Sequence, residues 1–316
     1  MSGLAGRLRR GAIAGFRVLP PRWRERLKRA AGALGHQPNW AQRLRAQQLA
    51  EGAKRLDKWA PNLAAMLQTA GVRSLDGRAC LEFGSGHLLT EPLLYHLLGA
   101  RRAVAVDYFP ILEENLVRSV CVDVDEDALV GALQPFAPAD RIRGRYRALL
   151  AREDWSLSGL AELGLSYVAP YDAARSPLEP AAFDLIVSCS VLEHVPVADA
   201  PRILANLAAM LRPGGVMVHA IHLEDHRDFH NAPLAFLAAD TDWSEADADR
   251  RGNRLRQSDW MAMAKDLDGV DVIAAEARMA ATDLPARLDP RLAAYARDDL
   301  RVGGLVIALR KQGAPA

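Results

Sequence analysis

The sequence predicts an α/β domain built on a doubly wound sheet, and two observations carry that expectation. From Gly77 onward, short apolar runs alternate with longer segments of helical periodicity, as in a parallel sheet with helices on both faces. The first run, RACLEF, stops at Glu82 and gives way to Gly84 and Gly86, a turn in which a ligand can come close to the backbone. With 316 residues, 50% of them hydrophobic, the chain can bury one substantial core with additions.

Taken in order, residues 1–60 read as a basic helical N-terminal arm broken at Pro20 and Pro21, with nine Arg and Lys residues from Arg7 to Arg29 against Glu25 alone. Such a stretch could rest on an anionic membrane, touch nucleic acid, or present a solvated face while its apolar residues pack on the domain. Residues 61–316 form the main domain. Its strands are RACLEF, RAVAVD, LSYVAP, FDLIVSCS and GVMVHAI, and EPLLYHLLGA and APRILANLAAML are helices between them. Regularity fails after Ile221, and residues 223–268 are expected to form an insertion that caps the sheet edge. DGVDVIAAEARM and LRVGGLVIALRK are two final strands.

Forty basic against 39 acidic residues leave a net charge of +1, so the whole chain is not built as a polyanion binder, which argues against a nucleic-acid substrate. Cys80, Cys121 and Cys189 lie far apart with no CxxC pair, as expected of reduced, buried thiols in a cytoplasmic protein. No apolar run approaches the roughly 20 residues of a membrane span, and no secretory leader is read at the start.

The glycine turn decides the ligand. A dinucleotide fingerprint wants a third glycine, but Leu89 stands there, so a pyrophosphate is disfavoured. An acid two residues before Gly84 is awkward beside phosphates and useful beside an ammonium group. S-adenosyl-L-methionine carries an ammonium and a sulfonium and no phosphate. The second strand ends at Asp107, whose carboxylate can accept both ribose hydroxyls, and Tyr108 could cover adenine. This acid alone does not separate that cofactor from NAD. Asp172 and Ala173 end the third strand, where a carboxylate and a backbone amide suit the adenine edge.

With EFGSG, the Asp107 strand end, Asp172-Ala173, FDLIVSCSVLEHV and LRPGGVMVHAI in this order and spacing, residues 75–222 resemble the class I S-adenosylmethionine-dependent methyltransferases, especially the bacterial type 11 group. The resemblance implies a Rossmann-like seven-stranded sheet with a terminal antiparallel hairpin, to which the two last strands correspond. It also implies that Glu82, Gly84 and Gly86 line the methionine end, Asp107 holds the ribose, Asp172 the adenine, and Ser188 and Cys189 flank the sulfonium.

For a hydroxyl acceptor the protein must position the oxygen and remove a proton, and histidine is the natural base. His194 stands just beyond the fourth strand, as base or as gate packing. HAIHLEDHRDFHN begins at the carboxyl end of the fifth strand, so a base could be assembled from His222 or His226 with Asp225 as its orienter. A divalent metal on this segment and purely structural or surface histidines are the alternatives, and no residue is assigned to a metal. Asn253, Arg254, Arg256 and Trp260 either hold a polar acceptor or belong to a helix resting on the domain. The expected activity is methyl transfer to a hydroxyl of a small-molecule or glycan acceptor. An RNA methyltransferase using the basic arm, and a non-catalytic S-adenosylmethionine-binding protein, are its rivals.

Overall fold

The computed structural model describes residues 39–228, 230–241 and 252–313. Most of the basic arm and the centre of the expected cap lie outside the described residues. The chain separates into a unit of residues 1–48 and one of residues 49–316, so the division falls nearer the N-terminus than residue 60. Helix α1 (Asn39–Glu51) runs across that boundary, and the sheet lies wholly within the second unit.

Helix α2 (Leu56–Thr69) leads into β1 (Ala79–Phe83), α3 (Thr90–Leu97) and β2 (Arg102–Val106). A long connection comes next, with a 3₁₀ turn (Glu114–Cys121) and helices α4 (Glu126–Leu133), α5 (Ala139–Leu150) and α6 (Leu157–Ala161). Then come β3 (Leu165–Val168), β4 (Phe183–Cys189), α7 (Ala200–Met210), β5 (Leu211–His222), α8 (Gln257–Lys265), β6 (Val270–Met279), α9 (Arg297–Leu300) and β7 (Val302–Lys311).

The seven strands form one sheet in the order β3-β2-β1-β4-β5-β7-β6. The first five pair in parallel and β7 runs antiparallel between β5 and β6, which is the expected terminal hairpin. Strand order reverses between β1 and β4, and in open sheets of this kind ligands bind at the carboxyl ends beside that reversal.

Alternate side chains leave the sheet in opposite directions, and here both faces are buried. Cys80, Ala103, Ala105, Leu185 and Val187 join a core with α2–α5, whereas Leu81, Phe83, Val104, Val106 and Ile186 join another with α7 and α8. Leu56 and Ala60 are fully buried in the first of these cores, so the end of the expected arm belongs to the domain. The three cysteines are free thiols. No helix among the described residues is long and apolar enough to cross a membrane.

Helix α3 starts without a side-chain cap. Leu89 holds the N-cap position, and the Thr90 hydroxyl donates instead to the Lys54 carbonyl at 2.9 Å, tying α3 to the segment before α2.

Candidate active site

The carboxyl end of β1 turns sharply because the amides of Gly84 and Ser85 both donate to the Val106 carbonyl, at 2.8 and 3.1 Å. Gly84 has φ +83°, and a Cβ there would lie 2.3 Å from Val191 Cγ2, so this glycine is required twice over. Gly86, at φ +65°, has open space where its Cβ would be. Its amide donates to Asp107 Oδ2 at 2.8 Å, and the Phe109 amide donates to Oδ1 at 2.9 Å. Asp107 is thereby fixed with lone pairs on both oxygens still available to hydroxyl donors. Tyr108 beside it is 59% exposed and meets the Phe109 ring edge-on at 4.8 Å. Leu88 and Leu89, near where further glycines could have stood, are buried in the core instead.

Beneath the turn lies a charged cluster that the sequence did not single out beyond Glu82. Lys54 Nζ sits 2.9 Å from Glu91 Oε1 and 3.4 Å from the centre of the Trp59 ring, and Trp59 Nε1 donates to the same Glu91 oxygen at 2.5 Å. Burial and the neighbouring Glu91 push the Glu82 carboxyl well above the usual carboxylate range. Glu91 itself is held below that range by Lys54, against the desolvation that would raise it. Glu82 Oε2 is sealed from solvent, and the raised Glu82 carboxyl can share its proton with Glu91.

Strand β3 stops at Val168, short of the expected end, and in the turn beyond it Asp172 Oδ1 accepts from the Ala174 amide at 3.0 Å, while Oδ2 lies 3.1 Å from Arg175 Nε. Ala173 is buried, and its carbonyl accepts from Asn206 Nδ2. Cys189 stands half-buried at the end of β4, its thiol pushed up to about 11 by burial. Ser188 departs from expectation. Its hydroxyl faces His219 Nδ1 at 2.8 Å within the sheet, because adjacent residues on a strand point to opposite faces and the outward one is Cys189.

The structure brings together the three histidines read as base candidates, His194, His222 and His226. A 3₁₀ turn (Leu192–His194) follows β4, and the chain leaving β5 carries His226 against it. The rings of His194 and His226 meet at 4.5 Å, and those of His222 and His226 at 5.8 Å. Burial lowers the His222 pKa, keeping the ring neutral.

The carboxylate in this group is not Asp225. That side chain turns to its neighbour Arg227, with Nη2 2.9 Å from Oδ2 and the Arg227 amide donating to Oδ1 at 2.9 Å. Glu193 takes the place instead, its Oε1 3.5 Å from His226 Nε2, with desolvation pushing its carboxyl up to about 8. His230 is exposed, and His219 is buried against Ser188.

The polar residues of NRLRQSDW are braces rather than an acceptor pocket. Asn253 Nδ2 donates to the carbonyls of Leu192 and Val195, and its amide donates to the Glu193 carbonyl at 2.6 Å. Arg254 Nε donates to the Phe236 carbonyl. Arg256 is fully buried and donates to the carbonyls of Leu223, Leu300 and Val302, while Trp260 lies in the core.

A glycine turn, a fixed acid on the neighbouring strand and a buried acid beneath stand together at the strand-order reversal of a seven-stranded α/β sheet. The family model described as a methyltransferase domain matches residues 34–268, and the chain belongs to that family. Its cofactor is S-adenosyl-L-methionine. No curated protein matches it in sequence. Among solved structures it is similar to an S-adenosylmethionine-dependent methyltransferase from Mesorhizobium loti (17% identity, 83% of this chain and 100% of that one, TM-score 0.43). It is also similar to phosphoethanolamine N-methyltransferase 2 from Haemonchus contortus (14%, 80% and 53%, TM-score 0.44). A third is the N-methyltransferase NodS from Bradyrhizobium japonicum (15%, 79% and 85%, TM-score 0.38).

Proposed function

We propose that this methyltransferase alkylates a hydroxyl oxygen of a small polar or glycan-type acceptor, with His222, His194 and His226 forming the acceptor side of its site. The observation that supports this most is the convergence of those three rings at the carboxyl ends of β4 and β5, next to Val191, the residue that packs on Gly84.

The residues fit the cofactor. Glu82, a buried acid at the end of β1, suits the methionine ammonium; Lys54 suits the methionine carboxylate; Gly84 and Gly86 allow close approach; and Asp107 offers both oxygens to the ribose hydroxyls. Asp172 and Ala173 remain the adenine candidates, with Tyr108 exposed nearby on the Asp107 side. S-adenosylmethionine supplies a methyl group already activated by its sulfonium, so no protein nucleophile is needed.

What the chain must add is placement of the acceptor oxygen and a receiver for its proton. A hydroxyl is nearly unreactive until the proton leaves, and a neutral imidazole within hydrogen-bond reach can take it. His222, neutral at the strand end, fits that part. The edge-on packing of His226 between His222 and His194 limits how each ring can turn.

Calorimetric titration with S-adenosylmethionine, S-adenosylhomocysteine and NAD tests the cofactor half. Binding of the first two and not NAD, lost in Asp107→Ala, is expected; a preference for NAD would overturn it. For the acceptor half, hydroxyl acceptors are screened with radiolabelled cofactor. His222→Asn should lower turnover by at least ~100-fold with cofactor affinity unchanged, within the usual worth of a general base. Unchanged turnover would remove His222 from that role.

A further inference from the structure

Glu193, His194 and His226 come from two loops at adjoining strand ends, and each offers one ligand atom, all lying within 4.8 Å of one another. We propose that these three residues bind one divalent transition-metal ion of the zinc class.

Geometry carries the inference first. In a tetrahedral shell with bonds of about 2.0–2.2 Å, ligand atoms stand roughly 3.3–3.5 Å apart. His226 Nε2 and Glu193 Oε1 already stand 3.5 Å apart. The widest separation, at most 4.8 Å, exceeds the tetrahedral value by no more than ~1.5 Å, which rotation of the Glu193 side chain and a small shift of the chain carrying His226 close.

The state of Glu193 carries it second, and independently. Its side chain is only 1% exposed, and apart from weak approaches by the backbone amides of Glu193 and His222 the nearest donor is His226 Nε2 at 3.5 Å. A buried acid with so little hydrogen bonding is costly to ionise, whereas one that ligates a cation is satisfied.

The neighbouring acids are occupied elsewhere: Asp225 by Arg227, and Glu224 by Arg278, whose Nη2 lies 2.8 Å from Oε2. The Glu193–His194 turn is also held in place from outside. Asn253 secures its carbonyls, so two ligands sit on a fixed turn and only His226 rides on the chain leaving β5.

The donor set selects the ion. Two imidazoles and one carboxylate suit Zn²⁺ and, with more open positions, Co²⁺, Mn²⁺ or Fe²⁺, whereas Mg²⁺ prefers an all-oxygen shell. Three protein ligands leave at least one position open. There an acceptor hydroxyl would bind and lose its proton more readily, with His222 standing outside the ligand set beside His226. That role rests on the hydroxyl-acceptor reading; the ion site itself does not.

The full chain, stripped with a chelator, is titrated with Co²⁺ and followed by its visible d–d absorption, with Zn²⁺ added in competition and S-adenosylhomocysteine binding as the check of folding. One equivalent is expected to bind and to be displaced by Zn²⁺ but not by equal Mg²⁺. His226→Ala and Glu193→Gln should each weaken binding at least ~10-fold, since losing even an outer partner of a metal ligand commonly costs that much. His230→Ala, which removes an exposed histidine, should leave it unchanged. If Glu193→Gln fails to bind S-adenosylhomocysteine, His194→Ala takes its place. Absence of a d–d band, or a band that survives in both ligand variants and disappears in His230→Ala, would overturn the site. Hydroxyl methylation that persists without any such band would sink the ion site and leave the acceptor reading standing. Cobalt binding as expected without any hydroxyl acceptor would do the reverse.

Discussion

Replacing Gly84 with alanine should damage both stability and cofactor binding, and the structure says by how much. Alanine at φ +83° costs about 1–2 kcal/mol for the left-handed backbone alone. Its Cβ would meet Val191 Cγ2 at 2.3 Å and Cγ1 at 2.6 Å, where ordinary carbon contacts are about 3.5–4.0 Å. Val191 is β-branched and has little rotamer freedom, so the backbone must move, at a further cost of about 1–3 kcal/mol. The single variant should therefore lose about 2–5 kcal/mol in urea unfolding, and calorimetry should show weakened S-adenosylmethionine binding, because the same turn carries Ser85 and Gly86. In Gly84→Ala/Val191→Ala the two methyl groups that clash are gone and only the tight 3.0 Å approach of the residue 191 Cβ remains, so most of the crowding cost should go while the backbone cost stays. A double-mutant cycle should return a favourable coupling of about 1–3 kcal/mol. Additivity within ~0.5 kcal/mol would refute the claim that Val191 is what excludes a side chain at Gly84.

Two more outcomes are expected from buried groups. His219 is fully buried, its Nε2 has no partner, and burial lowers its pKa from 6.5 to about 4, so between those values the unfolded chain takes up a proton that the folded chain refuses. Stability from this group is complete above pH 6.5 and falls as the pH drops, by about 3 kcal/mol at pH 4. Unfolding of His219→Gln compared with the parent at pH 7 and pH 4.5 should show a shallower loss; equal slopes would count against it. Arg256→Met strips a buried cation from three backbone carbonyls and should cost about 3–5 kcal/mol in chemical denaturation, a surface role being indicated by a loss below ~1 kcal/mol.

The sheet was legible because its strands read as short, mostly apolar runs, the parallel ones above all since they are buried on both faces, and all seven stand where the runs do. The cofactor-side residues were legible because they occupy strand ends, which the runs locate. The helical connection over residues 114–161 was not read, since its mixed composition shows neither period cleanly.

The acceptor side failed in an instructive way. Asp225 looked like the partner of His222 and His226 because it lies between them in sequence, yet Arg227 is closer in space, and the carboxylate that reaches His226 comes from the other loop. Glu193 did leave a signal, an acid between Leu192 and His194 in an apolar stretch, as did Glu91 in TEPLLY, an acid amid residues destined for burial. Lys54 and Trp59 left none, because their approach to Glu91 depends on how the α1–α2 connection crosses α3. Arg256 and Trp260 read equally well as surface or interior, since partners that are backbone carbonyls have no sequence identity.

The hydrogen bonds from Asn253 to Leu192, Glu193 and Val195 bear on how this protein could be re-engineered. The segment after β5 cannot be exchanged as a cassette with that of another methyltransferase without also resetting the loop after β4. A graft that omits an asparagine at this place would arrive with a new acceptor lining and an unmoored Glu193–His194 turn. A transplant keeping residues 252–256 native would retain the mooring and leave residues 223–241 as the part open to redesign.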